Sequence, residues 1–307
     1  MGEVVEGLEG AAERQRIAEL LAGGRFFWVD VRLSETSRDD LREVLGIPDD
    51  SLRPLLQFGD DSAPSRKFHT DGRRVVFTFN CYVELRPVEV HVLVSGDYLL
   101  TLHEERIALP KQLDITTPEG RSEQYIVYAI LDAMVASAFD ALSDAEGTLE
   151  ELQRMSTDLR AGRVKLATFR GVNYRLSEMR RRVGPQRGVF ERISVEIGGV
   201  EGLGGDRDRY FELIGEQLNR LVEAIDAAAN TMTTLIDLRL NETTYWLTVV
   251  ATIFLPLTFL TGFFGMNFGW MVEQIDTQLA FWLLGIGTLV VGVAFIWRLV
   301  VRGSPTS

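Results

Sequence analysis

Small and hydroxyl-bearing side chains recur along one side of an apolar run near the C-terminal end of the sequence. Residues 245–264 include no charged side chain. The recurring residues alternate in steps of three and four: Thr244, Thr248, Ala251, Leu255, Thr258 and Gly262. This spacing places them on one face of an α-helix. Such a face can pack against another helix, or it can offer hydroxyl oxygens to a water-filled path, and the pattern alone leaves both interpretations open.

The length of this run is that of a membrane-spanning helix. About 20 helical residues extend about 30 Å, the thickness of a hydrocarbon core. Pro256 removes one backbone hydrogen bond inside the run, so we expect a kink near Thr252.

A second uncharged run covers residues 280–297. The loop before it carries Glu273 and Asp276 and no basic residue, whereas Arg298 and Arg302 follow the run. By the positive-inside rule the loop lies outside the cell and the tail lies in the cytoplasm. Because two crossings return the chain to its starting side, we expect a multi-pass protein of the plasma (inner cell) membrane with both termini cytoplasmic.

Composition and motifs exclude several classes of protein. The net charge of −12 argues against a nucleic-acid partner. Cys81 is the only cysteine, which excludes an internal disulfide, and we expect it to be a small core residue. The sequence shows neither a phosphate-binding glycine loop with Lys-Ser/Thr nor a nucleophile–base set. We therefore expect no enzyme and no prosthetic group.

The helix that leads into the first apolar run carries a heptad seam. Its apolar residues alternate in steps of four and three: Ile214, Leu218, Leu221, Ile225, Ala228, Met232 and Leu235. The seam predicts that this helix packs lengthwise on copies of itself or on neighbouring elements. No Pro or Gly interrupts residues 216–248, so we expect one helix over residues 206–264, about 85–90 Å long.

The block from Asn241 to Phe268 resembles the CorA family of divalent-cation channels. The matching positions are Asn241-Glu242, Leu247-Thr248, 251–259, Gly262 and Gly265-Met266-Asn267-Phe268. Two positions depart from the family pattern: Phe264, where the family usually has Tyr, and Tyr245, where it often has Lys. The resemblance is close over residues 241–300 and elsewhere extends to layout only.

The resemblance implies a funnel-shaped homopentamer, in which each chain has an α/β cytoplasmic domain, a long stalk helix and a two-helix transmembrane hairpin. The cytoplasmic part comprises an α/β domain with a largely antiparallel sheet over 1–120 and a helical region over 121–205. The stalk and pore-lining helix follows over 206–264, with its membrane part at about 245–264. An external loop over 265–279, the second transmembrane helix over 280–298 and a cytoplasmic tail over 299–307 complete the chain as given. Within the helical region we expect helices over 122–161 and 164–182, the second ended by Gly184-Pro185.

The resemblance also assigns roles to residues. Gly265, Met266 and Asn267 form the external ion mouth, and the acids Glu273 and Asp276 of the external loop would raise the local cation concentration. The pore-lining residues are Asn241, Thr244, Leu247, Thr248, Ala251, Leu255, Thr258 and Gly262.

Magnesium fits this arrangement, because it gives up its inner waters reluctantly and prefers octahedral oxygen. Neutral oxygens can hydrogen-bond the hydrated ion without stripping it, and the apolar side chains of Leu247 and Leu255 can gate by dewetting. In the family, regulatory cations bridge acidic groups of adjacent subunits. Counting back from Asn241 places Asp206 at such a position, with Asp208 as the neighbouring candidate.

Two alternatives remain open. The first is a different metal on the same scaffold: cobalt or nickel alongside magnesium, or zinc in the ZntB branch, with proton coupling. That branch usually departs from Gly-Met-Asn at the middle position, whereas this chain has Met266. The second is a non-conducting, membrane-anchored oligomeric scaffold or sensor. The magnesium transporter is the preferred interpretation, and its partners are then copies of itself, the lipid bilayer and divalent metal ions.

Overall fold

The computed structural model describes residues 3–8, 10–33, 38–58, 68–107, 109, 123–157, 166–201, 203, 207–266, 269, 279, 281–287, 290–292, 294 and 298. The chain divides into two compact units, Met1–Met232 and Thr233–Ser307.

A six-stranded mixed sheet forms the centre of the first unit. Its strands are β1 (Glu3–Glu6), β2 (Phe27–Arg32), β3 (His69–Thr70), β4 (Arg74–Val83), β5 (Arg86–Ser95) and β6 (Tyr98–His103). They lie in the order β1-β2-β6-β5-β4-β3. The pairs from β6 to β3 are antiparallel, as the sequence indicates, but β1, β2 and β6 run parallel. The short β1 was not predicted, because four residues with two valines carry too little alternation to detect.

In the described part of the chain six α-helices follow or separate these strands. Their bounds are α1 (Ala11–Ala22), α2 (Arg38–Leu45), α3 (Asp49–Leu55), α4 (Glu123–Thr157), α5 (Leu166–Gly199) and α6 (Arg207–Phe264). The apolar faces of α1, α2 and α3 form one buried cluster with the sheet, which includes Ile17, Leu41 and Leu55. Tyr98 joins α2 to this face, because its hydroxyl donates to the carbonyl of Leu45 at 3.0 Å and burial raises its pKa to about 12. The hydroxyl therefore remains a neutral donor at physiological pH.

Helices α4 and α5 pack against β4. The Tyr82 N–H donates to the Ser137 hydroxyl at 2.9 Å, and Asn80 Nδ2 donates to Gln186 Oε1 at 3.0 Å. Cys81 is buried here, as expected, and burial raises the pKa of its thiol. A high pKa keeps the thiol protonated and unreactive.

The prediction that Gly184-Pro185 ends a helix was wrong, because α5 continues through Pro185 to Gly199. Proline inside a helix costs about 3 kcal/mol. The residues on either side of it, Val183 and Phe190, are buried, and the Phe190 ring packs edge-on against Phe79 at 6.4 Å. Burial of such side chains contributes about 1.5–3 kcal/mol each, so tertiary packing outweighs the local signal.

The heptad seam of α6 is buried within one chain. From Ile214 to Met232 its residues are at most 5% exposed, and Leu235 is buried as well. Polar contacts with α4 and α5 flank the seam: Gln217 Nε2 donates to Asp132 Oδ1 at 2.8 Å, and Arg180 pairs with Asp226 at 2.9 Å. The sequence predicted that the seam packs either on copies of the chain or on neighbouring elements. The second prediction is confirmed, so the seam gives no support to contacts between copies.

Two helical stretches in the described part of the chain are long and apolar enough to cross a membrane, Glu123–Met155 and Arg209–Phe263. The first belongs to α4, and half of its most apolar window is buried. Its packing on β4 identifies it as a core helix. The apolar part of the second belongs to the second unit and contains Pro256 within continuous helix. Of the predicted second membrane helix, Phe281–Gly287 is π-helical and residues 290–292 are helical.

The β4–β5 hairpin turns through Glu84 and Leu85, whose φ angles are +47° and +66°. Two-residue turns with both φ angles positive favour Asn-Gly, because side chains with a Cβ lose about 1–2 kcal/mol in this region. We expect Glu84→Asn combined with Leu85→Gly to raise the free energy of unfolding by about 1–2 kcal/mol, measured by chemical denaturation in detergent. Leu85→Ala keeps the Cβ and is the matched control. An equal gain in that control would contradict strain as the cause.

Candidate functional site

The small and hydroxyl-bearing stripe lies on the free face of α6 in the second unit. All six of its residues from Thr244 to Gly262 are exposed, and Leu255, at 77%, is the most exposed large apolar side chain in the described part of the protein. The opposite face is half-buried at Val249, Ile253, Leu257 and Leu260. The stripe is therefore exposed in the single chain, as are apolar side chains outside it such as Trp246, Phe254 and Phe259.

The threonines of the stripe donate their hydroxyl protons to the backbone of α6. Thr244 donates to the carbonyl of Leu240 at 2.9 Å, and Thr248 to that of Thr244 at 2.9 Å. Thr258 donates to the carbonyl of Phe254 at 2.8 Å. A hydroxyl has one proton and two lone pairs, so each of these groups presents only acceptor capacity away from the helix.

A surface that offers only hydrogen-bond acceptors distinguishes hydrated cations from hydrated anions, although it carries no formal charge itself. The inner-shell waters of a hydrated cation point their hydrogens outward and can donate to these oxygens. A hydrated anion orients its waters the other way and requires donors. The stripe can therefore dock hydrated cations and disfavours anions.

Pro256 adds a backbone acceptor that the sequence interpretation missed. Proline has no N–H, so it cannot donate to the carbonyl four residues earlier, that of Thr252. The Thr252 hydroxyl donates its proton to the carbonyl of Thr248 at 2.8 Å, so it does not donate to the carbonyl of its own residue. This acceptor could have been predicted from the sequence. The missing N–H of Pro256, which predicts a kink near Thr252, also removes the usual helical donor to the Thr252 carbonyl. The kink itself remains a prediction.

The C-terminal end of α6 is closed by two backbone hydrogen bonds. The Gly265 N–H donates to the carbonyl of Thr261 at 2.9 Å, and the Met266 N–H donates to that of Phe263 at 3.2 Å. A Cβ at Gly265 would lie 3.0 Å from the Thr261 carbonyl oxygen, which is tighter than ordinary contact. Glycine therefore allows the chain to end the helix here. Asn267, Glu273 and Asp276 lie outside the described residues.

The other end of the apolar run is marked by charge and aromatic rings. Arg239 pairs with Glu242 at 2.9 Å, and these are the last charged side chains before the run begins. The rings of Tyr245 and Trp246 follow, with their centroids 6.0 Å apart. Asn241 and Leu247, the remaining predicted pore-lining residues, are exposed. Aromatic residues after a charged pair are typical of a membrane interface.

The predicted regulatory carboxylates are not located by the structure. Asp206 lies outside the described residues, and Asp208 lies in α6 without a described side chain. Among the residues that the structure describes, no group of three or more His, Cys, Asp and Glu side chains is placed to hold a metal ion. Both carboxylates therefore remain predictions.

Comparison with known proteins decides the family. The model of the family described as "CorA-like Mg2+ transporter protein" matches residues 23–302. The chain belongs to this CorA-like family. The family is one of transporters rather than enzymes, and the length of the apolar run in α6 agrees with a location in a membrane.

Individual relatives within and around the CorA-like family differ in the metal that their names give. The zinc transport protein ZntB of Pectobacterium atrosepticum is 27% identical over 248 residues, which cover 75% of this chain and 72% of that protein. The cobalt/magnesium transport protein CorA of Thermotoga maritima is 25% identical over 156 residues, which cover 48% of this chain and 44% of that protein. The structure of the CorA magnesium transporter from Methanocaldococcus jannaschii has a TM-score of 0.58 at 20% identity and covers 91% of this chain and 90% of that one. This likeness shows a shared fold.

Proposed function

We propose that this protein carries divalent metal cations across the membrane through a path that several copies share. The observation that carries the proposal is the open acceptor stripe on α6, opposite a face that is already half-buried. Two membrane helices per chain cannot enclose a water-filled path, so the stripes of several copies must face one another. A homopentamer, in which α6 lines the path and the second helix faces lipid, satisfies this requirement.

The chemistry of the stripe suits a cation that keeps its water. Mg²⁺ dehydrates reluctantly, so neutral oxygens that accept hydrogen bonds from its waters can pass it without stripping them. Rings of Thr258 hydroxyls and, at the mouth, of Asn267 amide oxygens would supply such acceptors, and selection would rest on size. An inward divalent ion gains about 4.6 kcal/mol per 100 mV of membrane potential, so no chemical energy source is needed.

Topology follows from the same proposal. Both termini lie in the cytoplasm, residues 265–279 face outward, and the protein resides in the plasma membrane. Magnesium then acts both as cargo and as the regulatory ion that Asp206 and Asp208 bind.

Zinc is the second candidate cargo, and a specific finding favours it. The ZntB relative matches three-quarters of this chain, whereas the match to the Thermotoga CorA covers less than half. Against zinc stands Met266, at the position where the zinc branch usually departs from Gly-Met-Asn. The same scaffold and stripe serve either ion, so the cargo must be measured.

A flux assay in liposomes tests both candidates. The purified protein is reconstituted and supplied with magnesium, cobalt, nickel or zinc, each with and without an imposed pH gradient. We expect magnesium uptake that does not depend on the pH gradient, together with a five-fold mass in native mass spectrometry. If zinc is taken up instead, and the pH gradient accelerates its uptake, zinc rather than magnesium is the cargo. Absence of flux for all four metals in an assembled protein would contradict transport and favour a scaffold or sensor.

A further inference from the structure

A groove runs between the C-terminal half of α5 and the first turns of α6, and both of its walls belong to the first unit. Its volume is about 660 Å³. The buried rings of Phe190 and Phe211 line it from the two helices. Val195 also lines it and is 74% exposed, more than any other large apolar side chain among the described residues of the first unit. The groove therefore presents apolar surface to its surroundings.

Gly215 lies inside α6 and lines the groove. A Cβ added there would meet no atom within 4 Å, so packing among the described residues does not require glycine at this position. Glycine is less favourable than alanine inside a helix. It does provide a bare backbone that a partner's backbone can approach closely. This favours a helix, rather than a small polar ligand, as the occupant of the groove.

The groove is acidic as well as apolar. Glu191 on α5 and Glu212 on α6 are exposed and line its two walls. The Ser194 hydroxyl donates to the backbone carbonyl of Glu191 at 2.9 Å, so its proton is not directed at either carboxylate. A partner that fits this groove must therefore place a cation beside an apolar side chain.

Such a pair of side chains lies on α6 itself. Arg209 and Leu213 are four residues apart, so they share one face of the helix, and both are exposed. We call these two residues the ridge. Further along this face Glu216 and Arg220 pair with each other at 3.3 Å, which leaves Arg209 as the cation that the ridge offers. At about 100° per residue, Leu213 lies about 160° around α6 from Gly215, so the ridge and the groove are on different sides of the helix.

The ridge and the groove also lie at the same level of α6. Leu213 and Gly215 are separated by about 3 Å along the helix. In the proposed homopentamer α6 lines the path, so neighbouring copies of α6 lie side by side at one level. Rotation about the path then brings the ridge of one copy toward the groove of the next. A contact between two different surfaces gives a closed ring when the rotation closes.

We propose that the ridge of one copy docks into the groove of the next copy, and that this contact joins the first units around the ring. Leu213 then covers the apolar lining beside Val195, and Arg209 approaches the carboxylates of Glu191 and Glu212. The docking rests on the proposed function, because a shared path needs several copies, and it assigns the surfaces through which those copies meet. The buried seam of α6 takes no part in this contact.

Cysteine cross-linking of the full-length protein in detergent tests the docking. Val195→Cys and Leu213→Cys are combined in one chain, which is treated with a short bismaleimide. The native Cys81 is buried, so the wild-type protein should not react. We expect a ladder of species up to five chains. At least about ten-fold more chains should be cross-linked than in either single variant, because a heterologous contact pairs position 213 with position 195 and neither position with itself.

Tyr174→Cys combined with Leu213→Cys is the matched control. Tyr174 is 65% exposed on the same helix as Val195 but lies about 31 Å away along α5, so this pair should give no ladder. Co-expressed single variants with different tags should give two-chain species that carry both tags, which excludes a link inside one chain. A five-fold native mass without these cross-links would overturn the docking and leave the shared path standing. Equal cross-linking in the single variants would also overturn it, whereas a single-chain native mass of the wild type would contradict the shared path itself.

A charge exchange remains decisive if the cysteine variants assemble poorly. Arg209→Glu places like charges in every contact, so we expect the amount of five-fold mass at fixed protein concentration to fall about three-fold or more. Adding Glu191→Arg to the same chain restores a pair of opposite charges and should recover most of the assembly. Arg170→Glu, at an exposed position near the other end of α5, is the control and should assemble as the wild type does. No loss in Arg209→Glu, or no recovery in the double variant, would overturn the docking.

Discussion

We expect Asn267→Ala to suppress divalent-cation uptake strongly while the chain stays folded and assembled. Asn267 is the one side chain between residues 264 and 269 that offers a neutral oxygen to a hydrated cation. It follows Met266 directly, where the last backbone hydrogen bonds of α6 end. In the proposed homopentamer the variant loses five docking contacts of about 0.5–1.5 kcal/mol each, so we expect uptake in liposomes to fall at least about 100-fold.

Two further variants at the mouth sharpen this prediction. Met266→Leu changes another residue of the mouth without removing an amide oxygen, so it should retain far more uptake than Asn267→Ala. Asn267→Asp keeps the size and adds charge, so the mouth should hold divalent ions too tightly or admit the wrong ones. Near wild-type flux in Asn267→Ala, with the assembled mass unchanged, would remove Asn267 from the ion mouth.

Leu255→Asn should raise leak flux even at high internal magnesium. Leu255 interrupts the oxygen-bearing stripe of α6 with a 77% exposed apolar side chain. A ring of such side chains expels water and closes a narrow path, and an amide at the same position keeps the path wet. Removing one leucine side chain changes the free energy of hydration by about 1.5–3 kcal/mol, so we expect leak to rise at least about 10-fold in a dye-based flux assay.

Leu255→Ile is the matched control, because it keeps both the apolar character and the volume of the side chain. It should retain a closed state. If Leu255→Asn assembles correctly and its flux does not change, the gate lies elsewhere, and Leu247 is the next residue to replace in the same way.

Local patterns predicted much of the fold. The helix at residues 11–22, the strands β4 to β6 and the uninterrupted α6 follow from periodicity, turn residues and the absence of breakers. These features depend on neighbouring residues in the sequence, so one sequence is sufficient to detect them.

Features that depend on distant partners were harder to predict. Nothing near Pro185 shows that burial of Phe190 against Phe79 will carry α5 through the proline. In the same way, the seam from Ile214 to Met232 has the same pattern whether its partner is another copy or the chain's own α4 and α5. Tertiary packing decides whether α5 ends at Pro185 and which surface covers the seam of α6. The local sequence pattern carries no information about that packing.

For the candidate site, the sequence predicted the stripe but not the state of its hydroxyls. Spacing identifies Thr244, Thr248 and Thr258 as one face. Threonine in a helix often donates to a preceding carbonyl, but only the atomic positions show that all three hydroxyls do so here, which makes this polar face an acceptor face. Asn267 and Asp206 rest on the family resemblance alone, because both lie outside the described residues.

Burial of the α6 seam inside a single chain has a consequence for biogenesis and genetics. A subunit whose seam residues are already buried against its own helices can fold before it meets another subunit. Substitutions such as Ile225→Ala, at a fully buried position, would then weaken each newly made subunit by about 2–5 kcal/mol. Such subunits would be removed by proteolysis before they join the proposed homopentamer, so we expect seam alleles to be recessive. Subunits with substitutions in the exposed stripe would fold and enter mixed homopentamers under the same proposal, so we expect these alleles to act dominantly.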